Sequence, residues 1–364
     1  MIELARILAG PWCGQLLADL GAEVIKVERP VAGDDTRHWG PPFVSGANGE
    51  NLGAAYFHCT NRGKTSRSID IATPAGQAEV RDLVAQADVL IENYKVGGLV
   101  KYGLDHASLS AINAHLITCS ITGFGQTGPY KDRAGYDFII QAMGGVMSLT
   151  GEPDGPPQKS GVAFADIFTG VYSAVAILAA LRRCEATGTG AHIDMALLDT
   201  QVAVLANQAA NYLASGRVPM RMGNGHANLV PYQAFVCADG ELVIAVGNDA
   251  QFKRLCSLLG LDELANDARF RSNPSRVENR DVLIPRLAEA ILQHPKAKLA
   301  ELLEGAGIPA GPINTVADVF DDPQVIARGM KIAPAVTPLA GLASPIVIDG
   351  VRMVARDGAP RLSG

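Results

Sequence analysis

The acid with the most unusual surroundings in this sequence is Asp166. It lies in Gly161-Val162-Ala163-Phe164-Ala165-Asp166-Ile167-Phe168-Thr169-Gly170, a run of apolar and small residues, and the next acid along the chain is Glu185. A carboxylate near the start of a helix is stabilised by the free amides there, and small neighbours let a large ligand approach. That makes Asp166 a candidate reactive carboxylate; an N-cap Asp is the plainer alternative, and the pattern alone leaves both open. Tyr136-Asp137 follow a basic loop, Lys131 to Arg133, which suits a phosphate or is a solvated turn. Arg29 ends one strand-like run and Asn93 another, and Arg37-His38 lies in the loop after Arg29. Ligands of doubly wound sheets bind beyond strand C-termini, so Arg29 and Asn93 are well placed, although two ordinary surface polar residues fit equally. The loop Gly223-Asn224-Gly225-His226 has the glycine content to close over a site, while a lone loop histidine is commonly structural or solvated.

Gly123-Phe124-Gly125-Gln126-Thr127-Gly128 matches GxGxxG and follows a strand-like run. The dinucleotide reading needs a helix opening at that loop and an acid about 20 positions on. Pro129 follows at once, Gly135 interrupts any helix, and Glu152 comes late, in a Gly/Pro loop. The fingerprint also belongs to the first strand-to-helix turn, whereas the first turn here is Ala9-Gly10-Pro11. The motif is therefore expected to be a strand-to-loop turn.

The elements that must hold these residues alternate. Strands are expected over 2–7, 23–27, 65–71, 89–93, 116–122 and 192–195. Helices are expected over 12–20, 74–87, 163–181 and 197–212, with Leu16, Leu17 and Leu20 giving the first an apolar face. Pro74 sits where a helix favours its first residue. The alternation predicts a doubly wound parallel sheet. Near Gly216 the texture changes. Strands over 233–236 and 242–246 and helices over 250–259, 280–293 and 296–306 predict a second, α+β domain, with Pro309 to Pro312 as a linker back to the first.

Composition bounds the rest. The chain has 364 residues, 48% hydrophobic and 19% charged, with 39 glycines; that is ample for two cored domains of an α/β enzyme. A formal net charge of −6 with no basic run argues against a nucleic-acid partner. Met1-Ile2-Glu3-Leu4 lacks a basic leader region, and Val171 to Leu181 is too short to span a bilayer, so a soluble cytoplasmic protein without membrane association is expected. The cysteines at 13, 59, 119, 184, 237 and 256 form no CxxC pair. They read as reduced core side chains, and with the seven histidines they show no metal-ligand spacing.

The stretches LAGPWCGQLLADLGAEVIKVERP, GDDTRHWGPP, NRGKTSRSIDI, DVLIENYKVGGLVKYGLD and SITGFGQTGPYKDRAGYDFIIQAMGG, with the segment around Asp166, GIPAGPINT at 307–315 and DDPQV at 321–325, resemble the family III CoA-transferases, the CaiB/BaiF group that includes formyl-CoA transferases. The resemblance covers nearly the whole chain. It implies a large Rossmann-like CoA-binding domain from residues 1–205 and 315–364, a smaller α+β domain over 216–308, and an obligate homodimer of subunits interlinked like chain rings. It implies an acyl-CoA and a small carboxylic acid as substrates, CoA entering as thioester substrate and not as prosthetic group. It places the nucleophile at Asp166, which would form an acyl anhydride and then an aspartyl-CoA thioester. It implies that Arg29 meets the adenosine-phosphate end, Ile71 flanks the adenine, Asn93, Tyr94 and Lys95 bind through backbone and side chain, and Lys101 stands where the family has a phosphate-binding Arg. Arg133 to Tyr136, with Asp137, would line the pantetheine path, and Gly223 to His226 would form the substrate loop. Leu8 replaces a Gln of the formyl-CoA transferases, and Gly223-Asn224-Gly225-His226 replaces their four glycines. These differences point away from formyl or oxalate, and GNGHANLVPYQAF points toward dicarboxylic acids such as succinate or glutarate. Leading residues before the first strand and a C-terminal Gly-Glu-His-Thr segment are expected to be missing relative to that pattern.

Two rivals share these features. The α-methylacyl-CoA racemase branch needs an acid/base pair and carries a His near the position of Tyr136; a phenol with its ordinary pKa near 10 is a poor base at neutral pH. A non-catalytic CoA-binding protein would tolerate loss of the Asp166 carboxylate.

Overall fold

In this computed structural model, which describes residues 1–335 and 337–363, the chain divides into two compact units. The first comprises Met1–Met147, Lys159–Ala206 and Asp322–Gly364, and the second Ser148–Gln158 and Asn207–Asp321.

The first unit is built on six parallel strands: β1 (Ile2–Glu3), β2 (Val24–Glu28), β3 (Lys64–Ser68), β4 (Val89–Glu92), β5 (Ile117–Thr122) and β6 (Ala191–Ala196). Their spatial order is β3-β2-β1-β4-β5-β6, the doubly wound order with its reversal between β1 and β4. Both faces are covered, so the strands alternate between two cores. Leu90, with Ile2, Leu4 and Val27, packs against α2 (Pro74–Val84) and α3 (His106–Ser110). Val89, Ile91, Cys119 and Ile121 pack on the opposite face with α1 (Ala9–Asp19), α4 (Asp137–Met143) and α5 (Phe164–Thr187). α6 (Leu197–Ala203) follows β6 directly.

Helices α1 and α5 touch backbone to backbone at Gly170, where a Cβ would sit 2.7 Å from the Ala9 carbonyl oxygen and 3.0 Å from Trp12 Cβ. The apolar stretch expected to be too short for a bilayer is part of this 24-residue α5, which by length and composition alone is enough to cross one. The helix outruns the apolar core because Arg182, Arg183 and Glu185 lie in its last turns, before Gly188 ends it at φ 68°. Ala165, Ala174 and Ile177 face the sheet, while Phe164, Phe168, Tyr172 and Val175 are exposed.

Strand β1 ends at Glu3, earlier than expected, and it could not have run to Ile7, which has φ 74°. α1 in turn begins at Ala9, taking Gly10 and Pro11 into its first turn. The expected helix over 197–212 breaks at Val204, the C-cap of α6, and Ala206 follows at φ 44°. Cys13, Cys119, Cys237 and Cys256 are buried, but Cys59 is exposed and Cys184 half-buried, so the core reading fails for those two.

The second unit has an antiparallel sheet of β7 (Tyr232–Cys237), β8 (Gly240–Ala245) and β9 (Ala310–Pro312). It packs on α7 (Asp249–Leu258), α8 (Arg280–Ile291) and α9 (Lys296–Gly305) through Phe235, Leu242, Ile244, Phe252, Leu287 and Leu303. Pro309 to Pro312 is thus not a linker: residues 310–312 pair with Leu242–Ile244. The prolines misled because proline is tolerated on a sheet edge, and β9 is an edge strand.

Candidate active site

Beyond the C-terminal ends of β1 and β4, at the reversal of strand order, lies a cavity of about 280 Å³. This is where a doubly wound sheet receives its ligand. Its wall comes from the turn after β1 (Arg6 to Ala9), the turn after β4 (Asn93 to Val96), the loop after β5 (Gly123 and Lys131 to Tyr136) and Asp166 in the first turn of α5. Of the residues singled out in the sequence, the cavity brings together Asn93, Tyr94, Lys95, Arg133, Tyr136 and Asp166.

The turn after β1 is forced into shape. Ile7 holds φ 74°, a left-handed backbone that a β-branched residue adopts only under constraint. The constraint comes from two distant side chains. Asn93 Oδ1 accepts the Arg6 amide N–H at 2.9 Å and its Nδ2 donates to the Arg6 carbonyl at 2.7 Å; Asp34 Oδ1 accepts the Ile7 amide N–H at 3.4 Å. The Asn93 side chain is therefore engaged by protein backbone at both ends. Because only glycine is at ease at such a φ, Ile7→Gly is expected to be more stable than Ile7→Ala by about 1 kcal/mol, the reverse of the usual order. Urea unfolding of the two variants checks this, and an Ala variant as stable as the Gly variant would show an unstrained turn.

Positive charge lines the cavity through Arg6, Lys95, Lys131 and Arg133. Arg6 pairs with Asp35 Oδ2 and stacks its guanidinium 6.0 Å from the Tyr94 ring centre; Arg133 lies 3.9 Å over the Tyr130 ring. Arg29 is outside the wall, half-exposed, with Nη2 2.8 Å from Asp35 Oδ1. Ile71 packs against the α2 core, and Lys101 sits on a short turn, 4.7 Å over the Tyr102 ring. Neither lines the cavity.

Asp166 does not cap α5. The N-cap position is Ala163, and Asp166 lies in the first turn with no hydrogen-bond donor or cation bonded to its carboxylate among the described residues. Burial, reinforced by the negative charge of Asp137, pushes its carboxyl from 3.8 up to about 7. The acid is poised to be half-ionised near neutral pH and is poorly solvated once ionised. The cap is supplied from another helix: Asp137 Oδ1 accepts the Ala165 amide N–H at 2.9 Å, and Asp137 Oδ2 accepts from Gln141 Nε2 at 2.7 Å. Both Asp137 oxygens are thus turned toward the protein, and Asp137 is absent from the cavity wall. Tyr56, which the sequence did not single out, is close enough to sense these acids. Burial first, then the charges of Asp166, Cys59 and Asp137, push its phenol up to about 12, so it stays a neutral donor. Arg6 and Tyr56 carry no motif signal, although Arg6 could have been found by its place just after the first strand of the sheet.

Gly223 to His226 belong to the second unit and form a braced turn. Gly223 has φ 55° and its amide N–H donates to Gly151 O at 3.1 Å. His226 Nδ1 accepts the amide N–H groups of Asn228 and Leu229 at 3.0 and 3.1 Å, which assigns its remaining proton to Nε2. Arg280 Nη2 donates to Ala227 O at 2.9 Å. Asn224 is exposed.

The model of the family described as CoA-transferase family III matches residues 1–364. The chain is 55% identical over 365 residues to a succinate–glutarate CoA-transferase of Agrobacterium fabrum, covering all of this chain and 91% of that protein. It is 45% identical over 330 residues to the succinyl-CoA:glutarate CoA-transferase of Homo sapiens, covering 91% of this chain and 74% of that one. A crystal structure of a CAIB/BAIF family protein from Brucella suis superposes with TM-score 0.88 at 59% identity, covering 99% of this chain and 94% of that chain. With a full-length family match and a doubly wound sheet whose switch-point cavity holds an unpaired, half-buried aspartate, the chain belongs to CoA-transferase family III, an enzyme that transfers CoA.

Proposed function

We propose that this enzyme moves CoA from succinyl-CoA to a second dicarboxylic acid, glutarate or one of similar size, with Asp166 as the covalent nucleophile. The observation that carries the reading is the Asp166 carboxylate itself: half-buried, without a cation partner, raised to about 7, and facing a cavity ringed by Arg6, Lys95, Lys131 and Arg133. The names of the two glutarate-using relatives support the substrate class. In the first step the Asp166 carboxylate attacks the succinyl thioester carbonyl, giving a mixed anhydride and CoA thiolate. The thiolate attacks the Asp166 carbonyl of that anhydride, giving an aspartyl-CoA thioester and free succinate. The acceptor carboxylate then attacks the aspartyl thioester, releasing CoA thiolate and forming a new anhydride. The thiolate takes the acyl group, and Asp166 leaves as carboxylate, with no net proton change. Poor solvation makes the carboxylate a stronger nucleophile, and an enclosed site protects both anhydrides from water. The basic residues would hold the CoA phosphates and the distal carboxylate of the acid.

The test is incubation with succinyl-CoA and glutarate, trapping with hydroxylamine or borohydride, and peptide mass spectrometry. Label at Asp166 together with glutaryl-CoA in solution is expected. An unlabelled Asp166, with deuterium uptake at the α-carbon of a branched acyl-CoA, would replace this reading with the racemase. The exposed Phe138 and Ile139 of α4 and Phe168, Tyr172 and Val175 of α5 fit the paired subunits that the family resemblance implies; a sedimentation mass near 38.1 kDa would count against pairing.

A further inference from the structure

The mechanism above uses Asp166 but does not explain what fixes it. The first turn of any helix has amide donors that need acceptors, and Ala163 at the N-cap of α5 has only a methyl group. The preceding segment, Ser160 to Ala163, has no regular structure to hold it before α5 begins at Phe164. Its polar backbone groups are instead gripped from α4. Gln141 is fully buried there, and its amide is used at both ends. Oε1 accepts the Ser160 amide N–H at 2.9 Å, and Nε2 donates to Asp137 Oδ2 at 2.7 Å and to the Val162 carbonyl at 3.4 Å. Asp137, one helical turn earlier on the same face, carries the grip on to the Ala165 amide at 2.9 Å. Two side chains of one helix thus fix three backbone points immediately before Asp166.

We propose that Gln141 is a positioning residue for CoA transfer, setting the Asp166 carboxylate by orienting Asp137 and clamping residues 160–165. The proposal rests on the Asp166 reading. A buried primary amide donates to Asp137 and accepts from Ser160 at the same time, at any pH and without carrying charge. A leucine of similar size keeps the packing but leaves the Ser160 amide, the Val162 carbonyl and Asp137 without that partner, and loosens the loop. Small displacements of a reacting group are costly, on the order of 100-fold for 1 Å.

The experiment is a kcat and KM series at pH 6, 7 and 8 for Gln141→Leu and Gln141→Glu, each first shown to unfold cooperatively in urea. For Gln141→Leu the expected result is a kcat about 10- to 100-fold lower with KM for succinyl-CoA within about threefold of the unaltered enzyme. Gln141→Glu decides the matter even if the leucine variant fails to fold. Protonated, its carboxyl still donates to Asp137 and accepts from Ser160; ionised, it repels Asp137. Its kcat relative to the unaltered enzyme is therefore expected to fall about tenfold or more from pH 6 to pH 8, a trend that a purely packing role would not produce. A flat ratio within about threefold across that range, with Asp166 labelled normally by the trapping experiment, would overturn the clamp. Absence of label from Asp166 in the unaltered enzyme would overturn the nucleophile reading, and the clamp with it.

Discussion

Replacing Asp166 by Asn is expected to abolish CoA transfer while making the protein more stable above pH 7. The loss follows from the proposed chemistry: a neutral amide forms neither the anhydride nor the aspartyl thioester, and removing a covalent nucleophile lowers kcat by about 10⁴-fold or more. The gain follows from the carboxyl's raised pKa. Burial and then Asp137 hold the folded-state carboxyl at about 7 against 3.8 for the free group. Between those values the folded state keeps a proton that the unfolded chain has lost, so stability falls as pH rises through the window and the whole penalty stands above pH 7. The full shift would be worth roughly 4 kcal/mol, but Asp166 is only half-buried by surface area, and water at the cavity mouth reduces this to about 1–2 kcal/mol. Asparagine carries no such penalty. Urea midpoints at pH 8 should therefore favour Asp166→Asn, and the difference should vanish near pH 4. In the unaltered enzyme kcat/KM should rise with pH through about 7 as the carboxylate forms. A variant retaining more than about a hundredth of the transfer rate, or one less stable than the parent at pH 8, would remove Asp166 from its role. The trade of stability for a reactive group is common at active sites.

How far this could be foreseen differs residue by residue. Val89-Leu90-Ile91 and Ile117 to Ile121 read as strands of a parallel sheet because sheets covered on both faces need apolar residues in succession, and the alternation with helices predicts the doubly wound sheet but not its strand order, which only the structure supplies. Asp166 was legible because it is alone among apolar neighbours. Its exact place was not: it reads equally as an N-cap, and the residue that does the capping, Asp137, lies 28 positions before the Ala165 amide that it accepts from. Gln141 gave no signal, since a polar residue in an amphipathic helix reads as surface until a loop from another part of the chain is laid over it. Ile7 was misread as strand for a similar reason. A β-branched residue is an extended-chain signal, and the turn there is imposed by Asn93 through the Arg6 backbone, 87 positions on, and by Asp34, 27 positions on. Residues 307–315, read as a family motif, supply an edge strand of the second unit, and its prolines spoke for a linker only because edge pairing is not written in local sequence.

The largest expected effect on stability comes from Glu3, which the sequence places in an ordinary first strand. Its carboxylate is fully buried under α1 and is shared by two buried ammonium groups, Lys26 Nζ at 3.0 Å and Lys64 Nζ at 2.8 Å. Lys26 also meets Asp34 at 2.9 Å. Two carboxylates and two ammonium groups balance, and they are packed without slack: a Cβ on Gly14 of α1 would collide with the Glu3 carboxylate. Burial pulls both lysines down, but Lys26 faces Glu3 and Asp34 together and is raised to about 12, whereas Lys64 has Glu3 and the repulsion of Lys26 and falls to about 8. Removing one partner of a buried charge group costs about 3–5 kcal/mol because the other is left uncompensated, and Glu3→Gln takes an anion from two ammonium groups at once, leaving Lys26 with Asp34 and Lys64 with no carboxylate. The cost should shrink as pH rises from 6 to 9, because Lys64, deprived of its anion, can shed its proton at lower pH than in the parent and enter the core neutral. Glu3→Gln combined with Lys64→Met should recover much of the loss, since one positive and one negative charge then leave together. The same ammonium groups donate to the Ala5 and Pro11 carbonyls at 2.9 and 2.8 Å, so the cluster also anchors the turn that forms one wall of the cavity. Glu3→Gln should accordingly lower kcat in the fraction that remains folded, and the charge-balanced double variant less so. Urea unfolding of the single and double variants at pH 6 and 9 reads the stability terms directly. A single variant within about 1 kcal/mol of the parent at pH 6, or a double variant less stable than the single, would mean that the charges under α1 are not held in the balance described.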